Sequence, residues 1–171
     1  NWMQRPDTSA PVSARNRDQL APRGASWSLL RYSLDQYSNG AARAFTRALA
    51  AGPQTDVANL LARARIAQFD QIVAGWLVAN FADNLGIPNL PAKYSYTSWN
   101  MRDVETNANN GNYPLQINPL GAAMTTQVLS SSGVYFRVSR NASPAIELRM
   151  QTPGGANLAN DYATLILLRT N

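Results

Sequence analysis

The hydrophobic period of this chain changes once, at Gly86-Ile87-Pro88. Before that point apolar residues recur at three- and four-residue steps, the repeat of helices with one buried face. After it they alternate, the repeat of strands with one buried face. Two periods in separate blocks predict an α+β fold in which helices come first and strands follow.

Residues 1–21 contain Pro6 and Pro11 and little periodicity, and read as an irregular lead-in anchored by Trp2 and Met3. Residues 22–88 read as a helical subdomain. Its first helix begins at Pro22, whose missing N–H and preset φ suit a first turn. Trp27, Leu30, Leu34 and Tyr37 mark one face, and Asn39-Gly40 ends it. A second helix carries Ala42, Phe45 and Leu49 on one side and Arg43 and Arg47 on another, and stops at Gly52-Pro53. Thr55 or Asp56 caps a third bearing Val57, Leu60, Leu61 and Ala64, and Asp70 caps a fourth bearing Ile72, Val73, Trp76, Leu77 and Phe81. Helices this short persist only when packed together. Trp27 and Trp76 are therefore expected in the core, while Leu29, Trp2, Met3 and Val12 are expected to form an outward apolar surface.

Residues 89–171 read as a β-sandwich-like domain. "KYSYTSW" alternates Tyr94 and Tyr96 and then, with a slip, Trp99; "VYFRVSR" places Val134, Phe136 and Val138 on one side; "AIELRM" places Ile146, Leu148 and Met150 inward. "YATLILLRT" is apolar on both faces, as a central strand would be. With turn-rich segments such as "NANNGNYP", "SSSG", "NASP" and "TPGGANLAND" between them, five to seven short strands predict a small antiparallel sandwich. The expected architecture is a four-helix cluster followed by that sandwich.

Composition narrows function mostly by exclusion. The longest apolar run, "IVAGWLVA" from Ile72 to Ala79, is far shorter than the about 20 residues that cross a bilayer, so no membrane span is expected. The opening residues lack the basic-then-apolar pattern of a signal peptide, which is read as removed or never part of this sequence. The net charge is +5, but residues 1–90 hold nine Arg against six Asp and residues 91–171 hold six basic against four acidic groups. Neither half has the concentrated basic face of a nucleic-acid binder, and none is expected as partner.

Histidine and cysteine are both absent from the sequence. A Ser-His-Asp triad, thiolate chemistry, disulfides and histidine-based zinc sites are all excluded for this chain. A Ser-Lys dyad would need Lys93, the lone lysine, which sits at a strand entry with no special context. Of the acids, Asp56 and Asp70 read as caps, Glu147 as outward on its strand, and Asp103 and Glu105 as loop residues, so no acid pair suits glycoside hydrolysis. "NANNGN" and "NLAND" lack the spaced-Asp pattern of a calcium loop. No catalytic, cofactor-binding or metal-ligating residue is expected. Tyr94, Tyr96 and Trp99, followed by Arg102, read first as the lock between the two halves, because aromatic residues at a junction usually bury area, and otherwise as a stacking surface for a sugar or peptide ligand.

Four stretches, "LAPRGASWSLLRYSLDQY", "DVANLLARA", "FDQIVAGWLVANFADNLG" and "YSYTSWNMRDV" with "YPL", together cover roughly residues 20–115. Their order resembles the region downstream of the active site in secreted bacterial zinc metallopeptidases of the gluzincin type. In that family an HExxH helix and a later glutamate, the zinc ligands, precede such a helical cluster. The cluster closes the lower cleft and a β-sandwich commonly trails it. Related aminopeptidases carry Tyr-x-Lys-Gly-Ala at the first helix; here the run is Ala21-Pro22-Arg23-Gly24-Ala25, so Ala21 stands where the oxyanion-stabilising tyrosine would be, and Tyr32 reads as a packing residue. The resemblance implies a non-catalytic C-terminal part of an exported hydrolase, secreted or periplasmic, partnered by an upstream catalytic half that holds the zinc. The other expectation is a stand-alone exported binding or adhesion module using the sandwich.

Overall fold

The computed structural model describes residues 2–12, 19–120, 123–139, 147–158 and 163–170. Four helices fall where the helical period places them: α1 at Leu20–Tyr37, α2 at Ala42–Ala51, α3 at Asp56–Ala64 and α4 at Phe69–Ala82. A fifth, α5, spans Met101–Ala108, where the sequence reading has a loop holding Asp103 and Glu105. Asn100 caps it, accepting from Asp103 N at 3.1 Å while its own amide donates to the Asp103 carboxylate at 2.6 Å. Asp70 is not the cap of α4: Gln68 holds that position, and Asp70 lies in the first turn, where its charge opposes the positive end of the helix dipole.

The antiparallel β-sandwich is not formed. Among the described residues there are two three-residue strands, β1 at Ile117–Pro119 and β2 at Tyr135–Arg137, paired parallel in one sheet with Ile117 opposite Tyr135 and Pro119 opposite Arg137. The segments 147–150 and 163–170 contain no strand, and Met150, Leu165, Ile166 and Leu167 are exposed. Ile146, Arg15, Arg17 and the turn "NASP" lie outside the described residues. Alternation only marks which side a strand would bury if a second sheet faced it. In this part of the chain no described residue is buried, so nothing rewards that pattern.

The chain divides into two compact units, one of Asn1–Gln116 with Val128–Val134, the other of Ile117–Gln127 with Tyr135–Asn171. The first unit holds the core, built on α1 and α4. The face that α1 buries is the opposite of the expected one. Ala25, Ser28, Leu29, Tyr32 and Ser33 point inward, while Trp27, Leu20 and Leu30 are exposed. The reason lies in α4, where Gly75 leaves room for the Tyr32 hydroxyl and Trp76 brings an indole N–H that needs an acceptor. A Cβ at Gly75 would stand 2.1 Å from that hydroxyl.

The lead-in is part of this core. Trp2 and Met3 are buried in a short 3-10 turn, Trp2–Gln4, and not on an outward surface. The Trp2 ring stacks on Trp76 at 5.2 Å between centroids and lies against Gly24 of α1, and Met3 O accepts from Gln116 N at 2.9 Å. Of the four residues expected to face outward together, Val12 alone is exposed; Leu29 is also buried.

Candidate functional site

The buried side chains of the α1–α4 interface form one directional hydrogen-bond chain. Trp76 Nε1 donates to Ser28 Oγ at 3.0 Å, Ser28 Oγ lies 2.9 Å from Tyr96 Oη, and Tyr96 Oη donates to Asn80 Oδ1 at 2.7 Å. An indole can only donate and a carbonyl oxygen can only accept, so the two hydroxyls between them must each accept once and donate once. Ser28 therefore donates to Tyr96. Every hydroxyl in the chain is spent, which makes it a strut and not a source of reactive groups.

A second polar centre is Asp83, just beyond α4 and itself buried. Its Oδ1 accepts from Tyr96 N at 3.0 Å, and its Oδ2 accepts from Met101 N at 2.8 Å and Arg102 N at 3.4 Å. One carboxylate thus ties the loop 95–100 to the end of α4 and satisfies amides at the start of α5. Arg102 closes the arrangement from the other side. Its Nε donates to Asp83 O at 2.8 Å, its Nη2 donates to Phe81 O, and its guanidinium lies 3.9 Å from the Tyr113 ring centre. A cation at these carbonyls suits the negative end of the α4 dipole. Tyr113 donates to Asn80 O, and its hydroxyl pKa is raised, first by burial, against the opposing pull of Arg102.

The same loop is held on its outer side by Asp35 of α1. That carboxylate accepts from Thr97 N at 3.0 Å, Ser98 N at 3.3 Å and Ser98 Oγ at 2.6 Å, and pairs with Arg31 Nη2 at 3.5 Å. Arg31 Nε in turn donates to Ser98 Oγ at 2.8 Å. Two carboxylates, Asp35 on α1 and Asp83 just beyond α4, therefore fix the backbone on both sides of Trp99. The Trp99 ring meets Trp27 at 5.5 Å with a 56° tilt and lies 5.3 Å from the Arg31 guanidinium carbon. Both indoles remain nearly half exposed, Trp27 at 45% and Trp99 at 44%. Asp83, Asn84 and the loop Ser95–Asn100 line an open hollow of about 350 Å³.

The residues singled out from sequence thus take different places. Tyr96 and Arg102 meet at Asp83, Tyr94 is half-buried with Lys93 Nζ at 4.9 Å from its ring centre, and Trp99 stands at the surface. Sequence reasoning missed Asp83, Asp35 and Arg31. The Arg31–Asp35 spacing was the one available signal, because opposite charges four apart on a helix meet. Tyr32 is buried beside Gly75 and donates to Lys93 O at 2.8 Å, and burial raises its pKa far above the ordinary tyrosine range.

Among the described residues no three His, Cys, Asp or Glu side chains gather as metal ligands, and no helix is long and apolar enough to cross a membrane. Comparison of the chain with protein-family models, with curated proteins and with solved structures gives no match.

Proposed function

We propose that this chain is the non-catalytic C-terminal part of an exported bacterial zinc metallopeptidase, supporting a catalytic half formed by other residues of that protein. One observation carries the reading. Helix α1 is apolar on both sides: its inner face is packed on α4, yet Leu20 (82% exposed) and Leu30 (44%) stand outward, with Leu34 half-buried along the same stripe. Leu20, Trp27 and Leu34 follow at seven-residue steps with Leu30 between them, the spacing of a seam that receives a second helix. A row of large apolar side chains left outward on a helix whose other face is already packed is the kind of surface that a partner covers.

The sequence stretches that resemble the gluzincin region add to this, and α1 is the first of them. The residues present do not fit a zinc site, since there is no histidine or cysteine and the described acids do not cluster. In this reading zinc belongs to the other half, and this chain contributes no bond-making step. Its task is mechanical: the Trp76–Ser28–Tyr96–Asn80 chain and Asp83 hold α1, α4 and α5 as one body on which that half rests.

The test is to express the chain with the natural sequence that precedes it. That sequence should encode an HExxH helix with a later glutamate and should form a stable complex, and Leu20→Glu with Leu30→Glu should weaken the complex without unfolding α1. A preceding sequence with no zinc-binding helix overturns the proposal. The alternative, an exported binding module, is favoured by a separate observation, the half-exposed Trp27–Trp99 pair, of which Trp99 lines the hollow; no sandwich whose loops could serve it is formed among the described residues.

A further inference from the structure

Loop 95–100 is more firmly held than its exposure requires. Tyr96 N, Thr97 N, Ser98 N and Met101 N are all taken by the carboxylates of Asp83 and Asp35. Ser98 and Asn100 side chains are also spent, on Asp35 and Asp103. Pinning of this kind removes the entropy that a loop otherwise loses when it binds, and is what a preformed site needs. What the pinned loop presents is the half-exposed Trp99 indole at the rim of the hollow.

The lining restricts the ligand. Asp83 is the one ionisable acid there, and both its oxygens are occupied by backbone N–H groups. The other polar side chains of the hollow are amides and hydroxyls, and those of Asn84 and Thr97 are exposed and make no hydrogen bond among the described residues. Charged ligands gain no ion pair in such a place, and purely apolar ligands leave the amide and hydroxyl unused. A neutral ring with one flat C–H face and a rim of hydroxyls matches both features, stacking on the indole while its hydroxyls bond to neutral donors and acceptors.

We infer that the hollow beside Trp99 is a saccharide-binding subsite, with Trp99 as the stacking platform, Asn84 and Thr97 as hydroxyl-recognising groups, and Trp27 and Arg31 as the contacts that hold the indole in place. Asp35 and Asp83 are positioning residues for the loop. The site and the proposed support seam share Trp27, but the hollow is lined by Asp83, Asn84 and Ser95–Asn100 and the seam is tested at Leu20 and Leu30, which do not line it, so either can fail without the other.

The arrangement offers its own reporter. Trp2 and Trp76 are buried, so acrylamide quenching of the intact chain reads Trp27 and Trp99. Neutral tetrasaccharides of glucose, xylose, mannose and N-acetylglucosamine are titrated against the whole chain, with a neutral apolar octapeptide as the contrasting probe. At least one saccharide should protect the exposed indoles from quenching and shift the Trp99 indole N–H signal in NMR spectra. Trp99→Ala should weaken that binding about tenfold or more, and Thr97→Ala and Asn84→Gly, the glycine keeping the left-handed backbone of that position, should weaken it severalfold with the helical circular dichroism unchanged. No protection by any saccharide up to saturating solubility overturns the proposal, as does undiminished binding by all three variants or protection by the peptide alone.

Discussion

Replacing Gly75 with alanine tests the packing of α1 on α4 at its tightest point. Two effects of opposite sign compete. Alanine is the better helix former by about 1 kcal/mol, so in an exposed helix the change would stabilise. Here the new Cβ would lie 2.1 Å from Tyr32 Oη and 3.1 Å from Cζ, well inside ordinary contact. Tyr32 has little freedom to yield, because it is buried, its ring meets Tyr37 and Tyr96 edge-on at 6.3 and 6.0 Å, and its hydroxyl is bound to Lys93 O. Forced repacking costs about 1–3 kcal/mol, and loss of the hydrogen bond about 1 more. The clash therefore wins, and Gly75→Ala should destabilise the first unit by about 1–3 kcal/mol after the helix gain is set against these costs. Urea unfolding followed by helical circular dichroism gives the number. Tyr32→Phe removes the closest atom, so the double variant should be more stable than the two single losses predict, with a coupling of about 1 kcal/mol or more. A Gly75→Ala protein as stable as the parent, or additive losses in the double variant, would refute the packing described.

Trp76→Ala should cost about 3–5 kcal/mol, because it removes a buried indole, the stack on Trp2 and the head of the hydrogen-bond chain, whereas Trp27→Ala should cost less than about 1 kcal/mol; comparable losses in chemical denaturation would contradict the observed facing of α1. Asp83→Ala strands three backbone amides and should cost about 3 kcal/mol or more, with Asp83→Asn intermediate, and hydrogen exchange should quicken first at Tyr96, Met101 and Arg102; uniform exchange across the unit would argue otherwise. Tyr32, Tyr37 and Tyr113 have hydroxyl pKa values raised chiefly by burial, so the folded form holds their protons where the unfolded chain gives them up. Stability from these groups is complete below about pH 10 and declines as pH rises above it. Tyrosinate absorbance should accordingly show these three ionising together with loss of helix; all seven tyrosines titrating near their ordinary pKa in a still-folded protein would negate this.

Helices α1 to α4 were legible because each repeats its apolar residues at the helical step and ends at a breaker or turn signal, as at Asn39-Gly40 and Gly52-Pro53. Which face of α1 is buried was not legible. Its stripe of Trp27, Leu30 and Leu34 is the more apolar, but the choice was made by Gly75 and Trp76 on α4, which fit Tyr32 and Ser28. Helix α5 is eight residues long with few apolar positions, and its amides depend on Asp83, eighteen residues before Met101; the local sign was Asn100 with Asp103, a cap three residues before an acid. The strand reading failed because alternation was taken as evidence of a facing sheet. Leu165, Ile166 and Leu167, apolar on both faces as a central strand would be, likewise lie in no strand among the described residues. Tyr96 shows the same limit at one residue: from sequence it is a strand or surface aromatic, yet Ser28, Asn80 and Asp83 make it the centre of the core network.

The claim that this chain supports a catalytic half is tested most directly by peptide hydrolysis, measured for the isolated chain and for the natural polypeptide that contains it, each with and without a metal chelator. The account predicts no hydrolysis by residues 1–171 alone, and hydrolysis by the whole polypeptide that chelation abolishes and zinc restores. Chelator-insensitive hydrolysis by the isolated chain, or none by the folded whole polypeptide on any peptide of a mixed library, would contradict it.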